Sequence, residues 1–324
     1  MASKQGRDPS AFRPATKNTQ KHMKMTVVAA GVAVLWAANG LADGISLVVQ
    51  NDYFTGTDRG YTDGTEVMWT WAPSHTNTAL ILSAVGVRNR MYSPDSTKAH
   101  PLQPTERPYC ATLSAVFRVW RQGENERIKY EVEAGVLGPH AYGKELQTWA
   151  HRQIQYRLPQ GWDDQLQPDE PILNLYMERW HPLEAYGDPD RLQARLDGLY
   201  GGALGTTFIN GVGGFNGKAG WNIPGGSAGS RAISNAGSGW FAFAFVEPRG
   251  RLVLLNATLG KSLFHDRGND RVLVPLVGEL EGGVVMGWRG LSLTYSAVGS
   301  TQEYQHQNQK QRFGNVRVDY GWTF

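Results

Sequence analysis

In the last ten residues Val316, Val318, Tyr320, Trp322 and Phe324 fall on one side of an extended chain, and Arg317, Asp319, Gly321 and Thr323 fall on the other. The same period of two recurs at 127 to 134, where Ile128, Tyr130, Val132 and Ala134 alternate with Lys129, Glu131 and Glu133. It recurs at 291 to 296 (Leu291, Leu293, Tyr295), at 240 to 245 (Phe241, Phe243, Phe245) and at 66 to 71 (Val67, Trp69, Trp71). Further strands are predicted near 45–53, 78–87, 112–120, 171–179, 193–200, 203–209, 251–259, 272–279 and 283–288, giving ten to fourteen in all and an even number near twelve. Two segments break the rhythm. The first, 88 to 110, is rich in Pro and polar residues; the second, 138 to 171, contains a helical piece from Lys144 to Arg157. A Gly-rich stretch, 211 to 230, reads as loop, and its GVGGFNG is followed by no helix that would make it a phosphate loop.

Alternation alone fits a soluble sandwich, which points its apolar face inward. An outer-membrane barrel inverts that arrangement, with apolar residues toward lipid, polar residues inside and aromatic girdles at the interfaces. Eleven Trp and thirteen Tyr, only 19% charged residues and the terminal Phe324 favour the barrel. No second apolar run reaches eighteen residues, so a helical membrane protein is excluded.

Charge changes the picture at the N-terminus. Residues 1–42 hold six basic side chains and one acid, so they carry the basic excess and leave a net −2 for the rest of a chain whose total is +3. They also hold an apolar run from Thr26 to Ala38, too short to cross a bilayer as a helix, followed by Gly40-Leu41-Ala42. That layout predicts a signal peptide over 1–42 and a mature barrel domain over 43–324. It also removes the basic face that a nucleic-acid partner would need. The single cysteine, Cys110, forbids an intramolecular disulfide and reads as a small apolar filler.

Three clusters could carry chemistry. Asn51-Asp52, followed by the turn 58–64 with Thr62, offers carboxylate, amide and hydroxyl oxygens; facing a barrel interior these could bind a hard cation such as Ca²⁺, or simply serve the turn. Gln147 and His151 lie four apart on one face of the expected helix, where a neutral imidazole could activate water or merely support the fold. Tyr92-Ser93-Pro94 with Lys98, and Glu106-Arg107-Pro108-Tyr109, place cations that could meet phosphate or an oxyanion, or could be ordinary loop charges. There is no Gly-x-Ser-x-Gly elbow and no His-Glu-x-x-His.

In order along the chain, VVQNDYF, DRGYTDG, MYSP, ERPY, GPHAYGKELQTWAHRQIQYRLPQGWDDQL and EPILNLYMER resemble the outer-membrane lipid A 3'-O-deacylase family (LpxR type) from about Ser46 to Arg179. The resemblance implies an all-β transmembrane antiparallel barrel of about twelve strands, with a short helix in or over the lumen and a site between that helix and the inner wall. It implies Ca²⁺-dependent hydrolysis of the 3'-linked acyloxyacyl ester of lipid A (lipopolysaccharide), among outer-membrane lipids. By the same resemblance His151 is the water-activating base, Asn51, Thr62 and Gln147 are active-site polar groups, and Lys98 is a loop lysine that stabilises the oxyanion. Asp52, with Thr62, is the expected metal ligand. One position departs from the pattern: where some members carry a glutamate six residues after the histidine, this chain has Arg157, so either Glu145, Asp163 or Asp164 completes the metal set or the calcium geometry differs. Two alternatives stand beside this reading: a calcium-dependent outer-membrane phospholipase, and a non-enzymatic barrel or porin with His151 on a plug helix.

Overall fold

An alternating strand is stable only when both its edges are paired, because a bare edge leaves a row of N–H and C=O groups unsatisfied. The computed structural model describes residues 44–56, 60–71, 74–75, 79–95, 105–123, 125–188, 191–224, 239–265, 271–308 and 310–322, and there twelve long strands meet this demand by closing on themselves. In chain order they are β1 Gly44–Asn51, β2 Gly60–Thr70, β3 Leu80–Ser93, β4 Cys110–Gln122, β5 Arg127–Leu137 and β6 Glu170–Tyr186. They continue as β7 Leu192–Gly205, β8 Phe208–Trp221, β9 Phe241–Asn256, β10 Leu276–Trp288, β11 Leu291–Ser300 and β12 Arg312–Gly321. Each pairs antiparallel with its sequence neighbour, and β1 closes on β12 with Ile45 opposite Tyr320. The pair Ser74–His75 extends the β2–β3 connection. Residues 1–43, and with them the expected export signal, lie outside the described residues, as do Asp58, Arg59, Lys98 and Phe324.

The two faces of the wall differ as the alternation requires. Outward residues such as Val85, Val87, Phe117, Tyr130, Val132, Leu173, Leu175 and Leu204 are exposed and apolar, the surface that a bilayer solvates. Inward residues are polar and paired. Glu66, Arg88, Glu131 and Arg118 form a closed ring across four strands: Arg88 donates to Glu66 at 2.7 Å and to Glu131 at 2.7 Å, and Arg118 donates to Glu131 at 2.6 Å and to Glu66 at 3.0 Å. Glu133 extends it, accepting from Arg90, Ser114, Asn174 and Tyr176. Apolar layers lie on either side. Tyr61, Tyr92, Cys110, Leu137, Leu166 and Ile172 pack toward the end with the long connections; Met68, Leu82, Ala84, Val116 and Trp120 pack toward the other. Cys110 is thus buried in the first of these layers.

Several expected elements merge. The separate strands at 193–200 and 203–209 become β7, which runs through Gly201 and Gly202, and the pair at 272–279 and 283–288 becomes β10, which runs through Gly282 and Gly283. The pieces at 240–245 and 251–259 are both part of β9. The described part of the Gly-rich stretch is β8 rather than loop. Its glycines answer to crowding: a Cβ at Gly214 would strike the Pro248 carbonyl and one at Gly220 the Ala242 carbonyl, so they permit close strand approach instead of breaking the strand.

The short helix, α1 Gly143–Gln153, is placed differently from expectation. It lies neither in nor over the lumen. Its connection packs on Met91, Ala111, Leu113 and Val136, all of the parity that faces outward, and the Asn89 amide, also outward, donates to the Ala141 carbonyl at 3.3 Å. The reading of His151 as a plug-helix residue in a porin is therefore corrected: the helix is clamped on the outer wall, and paired charges cross the lumen beside it.

Two outcomes follow from this packing. Replacing Arg88 with Ala leaves Glu66 and Glu131 to share one guanidinium, and should cost about 3–5 kcal/mol of stability in urea unfolding of the folded barrel followed by gel mobility. Any Cβ at Gly143 would sit 2.5 Å from the Ala111 Cβ and 2.5 Å from the Trp162 ring. Gly143→Leu should therefore loosen the helix alone, with tryptic cleavage at Lys144, Arg152 and Arg157 about tenfold faster while the barrel's gel mobility is unchanged.

Candidate active site

Polar residues on the outward face are costly wherever lipid would touch them, so those that occur there need cover. At the end of the wall that carries the long connections, Asn51, Asp63, Asn89 and Ser93 share the outward face, aligned by the pairs Asn51↔Asp63 and Asp63↔Met91. A β-bulge adds Thr62 to them: the β2–β3 register slips between Tyr61 and Asp63, Tyr61 turns inward to bond Gln50 at 2.5 Å, and the Thr62 hydroxyl meets that of Ser93. Thr62 and Ser93 are both buried.

Asn51 ties this corner together. Its Oδ1 accepts from the Tyr53 backbone at 2.8 Å, starting the short 3-10 turn Asp52–Thr55, and its Nδ2 donates to Asp63 at 3.2 Å. Asp52 opens that turn and is buried. Asn51 does serve the turn, then, and it also holds the carboxylate of Asp63. Sequence reasoning missed Asn89, and placed Asp63 only in the 58–64 turn and Ser93 only beside Lys98; the further signal available was polar character at positions whose parity matches Val67, Val85 and Val87. The expected inward orientation of this oxygen cluster is corrected for the same reason: its parity is outward.

The helix supplies the other wall of the cleft. Gly143, Gln147 and His151 recur every four residues and form its buried stripe. Gln147 Oε1 accepts from the Trp162 indole at 2.6 Å, which fixes the amide and leaves Nε2 as a buried donor with no partner among the described residues. Trp162 in turn stacks on Tyr109, ring centroids 4.8 Å apart, and packs with Met91, two residues from Ser93 on the same face of β3. The Thr62–Ser93 pair thus lies two residues along β3 from Met91, on which the Trp162 that holds Gln147 packs.

After the helix the chain reverses at Gln155, whose φ is 55°, and brings the Arg157 carbonyl to 2.6 Å from His151 Nδ1. A carbonyl can only accept, so Nδ1 carries the proton, and in the neutral ring Nε2 keeps its lone pair. Tyr156 meets the imidazole edge-on at 5.1 Å and holds its plane. The mouth of the cleft is aromatic and exposed: Tyr53, Tyr142, Trp149, Ile154 and Tyr156 all face out.

Other expected groups lie elsewhere. Arg107 is buried and engaged: it bonds Glu303 at 2.7 Å, lies 4.6 Å from the Tyr92 ring centroid, and its N–H donates to Tyr304 at 3.2 Å. Burial pushes the Tyr304 phenol above its ordinary range. This cluster ties the loops of Arg107 and Glu303 together. Glu145 and Asp164 are exposed, and Asp163 bonds Lys144 at 2.6 Å on the surface. Lys98 lies outside the described residues.

The chain matches the family model described as Outer membrane protein LpxR over residues 24–322. Among solved structures, LpxR from Salmonella typhimurium has a TM-score of 0.74 at 20% identity, covering 87% of this chain and 100% of that one. The beta domain of the Bordetella autotransporter BrkA has a TM-score of 0.42 at 10% identity, covering 86% of this chain and 97% of that one. No curated protein sequence matches the chain. With a family model spanning nearly the whole barrel, and the fold of the Salmonella protein, the chain belongs to the LpxR family of outer-membrane proteins.

Proposed function

We propose that this protein is an outer-membrane esterase that hydrolyses the 3'-linked acyloxyacyl ester of lipid A with water activated by His151. The observation that carries this reading is the wiring and position of that imidazole. Its Nδ1 is committed to the Arg157 carbonyl, so the free basic nitrogen belongs to Nε2, and the helix that carries it packs on the outward face of the wall amid exposed aromatics. A soluble substrate would gain nothing from that placement, whereas a lipid ester reaches it without leaving the bilayer.

In this reading Nε2 takes the proton of water as its oxygen adds to the ester carbonyl carbon, and the imidazolium returns that proton to the departing alkoxide oxygen. The Gln147 Nε2–H is a buried donor free to meet the oxyanion, and Lys98 is a second expected donor. Asn51 holds Asp63 and the Asp52 turn in place, so it positions groups.

The donor set suits a hard cation. Asp52, Asp63 and the Thr62 and Ser93 hydroxyls are all oxygen ligands, the kind Ca²⁺ takes, while the described residues contain no group of three or more His, Cys, Asp or Glu able to hold a metal by themselves. Asp52 and Thr62 would hold Ca²⁺, with Asp63 the nearest further carboxylate in the oxygen cluster. When bound, the ion would polarise the ester carbonyl.

Expressed in a Gram-negative host, the wild-type protein should remove the 3'-linked acyloxyacyl group from lipid A, read by mass spectrometry. His151→Ala should lower the rate by about 10²–10⁴-fold with the barrel intact. Chelation of calcium, or Asp52→Asn, should abolish deacylation without altering the folded gel mobility. Consumption of phospholipids with lipid A untouched would favour the phospholipase reading instead, and no change in either would leave a non-enzymatic barrel.

A further inference from the structure

The outer wall below the helix is not uniformly convex. A groove of about 590 Å³ runs across β4 to β7 on the lipid-facing side. Phe117, Val132 and Leu175 form one row of its lining; Tyr130 and Met177 form the next.

The groove lies in line with the cleft. On paired strands β4 and β5, the outward pairs read Leu113–Val136, Ala115–Ala134, Phe117–Val132 and Val119–Tyr130. The first pair packs against the helix through Leu146, and the last two line the groove. Between them stands a pair of alanines, both exposed, where the neighbouring rows carry branched or aromatic side chains. A low step therefore joins the catalytic cleft to the groove. Six residues from Leu113 to Val119 span about 20 Å along a strand, and with strands tilted about 40° this covers about 15 Å of depth, the acyl layer of one leaflet.

We infer that this lane is an acyl-chain subsite: the fatty chain of the ester being cleaved crosses Ala115 and Ala134 and ends among Phe117, Tyr130 and Leu175, so that the barrel wall measures chain length. The occupant follows from the lane's alignment with the seat of the helix, its mostly apolar lining, in which Tyr130, Glu131, Tyr176 and Asn210 are the polar side chains, and its place at bilayer depth. The inference rests on the esterase reading and adds to it which surface selects the substrate.

The test uses the full-length protein in outer-membrane-like vesicles with lipid A preparations that differ in the length of the 3'-linked chain. Ala134→Trp and Ala115→Trp block the step, and Val284→Trp, on the outward face of β10, is the control. The blocked variants should lose about tenfold in the ratio of long-chain to short-chain kcat/KM, while Val284→Trp keeps the wild-type ratio. An unchanged ratio in both blocked variants, with folded gel mobility intact and wild type active, overturns the lane and leaves the esterase standing. If wild type releases no chain from any preparation, the esterase reading fails, and the lane is judged by binding. Lipid A with a photoreactive group at the chain terminus should then label Phe117, Tyr130 and Leu175 in preference to the β10 face, and even labelling of both faces overturns it.

Discussion

Every feature of this molecule depends on one constraint: in a closed sheet each residue has only two places to point. Hydrocarbon on one side and a narrow lumen on the other turn a two-residue period into a strict assignment, and slipping one strand by a single residue would bury lipid-facing side chains and strand the charged ones in the bilayer. Glu66, Arg88, Arg118 and Glu131 are the inward half of that bargain. Four long charged side chains from consecutive strands satisfy one another without water, and each register pair supplies one contact of the ring. Such a ring adds little net stability over apolar packing, yet removing any one member is expensive, so it resists sliding of the strands that carry it.

The same constraint explains why the cleft is where it is. Outward polar residues cannot face lipid, and at one end of the wall Asn51, Asp63, Asn89 and Ser93 do point outward. The connection between β5 and β6 folds back over them. Asn89 is satisfied by the Thr112 and Ala141 carbonyls, Ser93 by Thr62, and Asp63 by Asn51. The polar corner so formed lies on the outward face beside the apolar seat of the helix connection. A bulge at Thr62 makes the arrangement possible, since it lets two successive residues of β2 face the same way.

Much of this could be read from the chain alone, and the misses have physical causes. Alternation at 127–134, 291–296 and 66–71 identified β5, β11 and β2 because one face there is unbroken by glycine. β7, β8 and β10 were read as fragments or loop because glycines were taken as punctuation, while in a tightly curved barrel they admit a neighbouring backbone. His151 and Gln147 were legible from their spacing of four, which places them on one helical face. The side of the wall on which that helix docks was not, because nothing within 143–153 encodes it. It is encoded in β3, β4 and β5, where Met91, Ala111, Leu113 and Val136 continue the outward parity as the helix's apolar seat.

Arg157 shows how a backbone contact can free a position from its side chain. The residue's contact with His151 is made by its main-chain carbonyl, and the side chain is exposed. Any residue that permits the reversal at Gln155 would orient the imidazole equally well, so the proton on Nδ1 does not depend on what stands at 157. A carboxylate there could serve only the metal. The acids expected to complete the metal set, Glu145, Asp163 and Asp164, are exposed on the helix and the turn after it, whereas Asp63, on the strand paired with β1, bonds Asn51. Position 157 therefore meets His151 through its backbone, while the carboxylate tied to Asn51, Asp63, comes from the barrel wall.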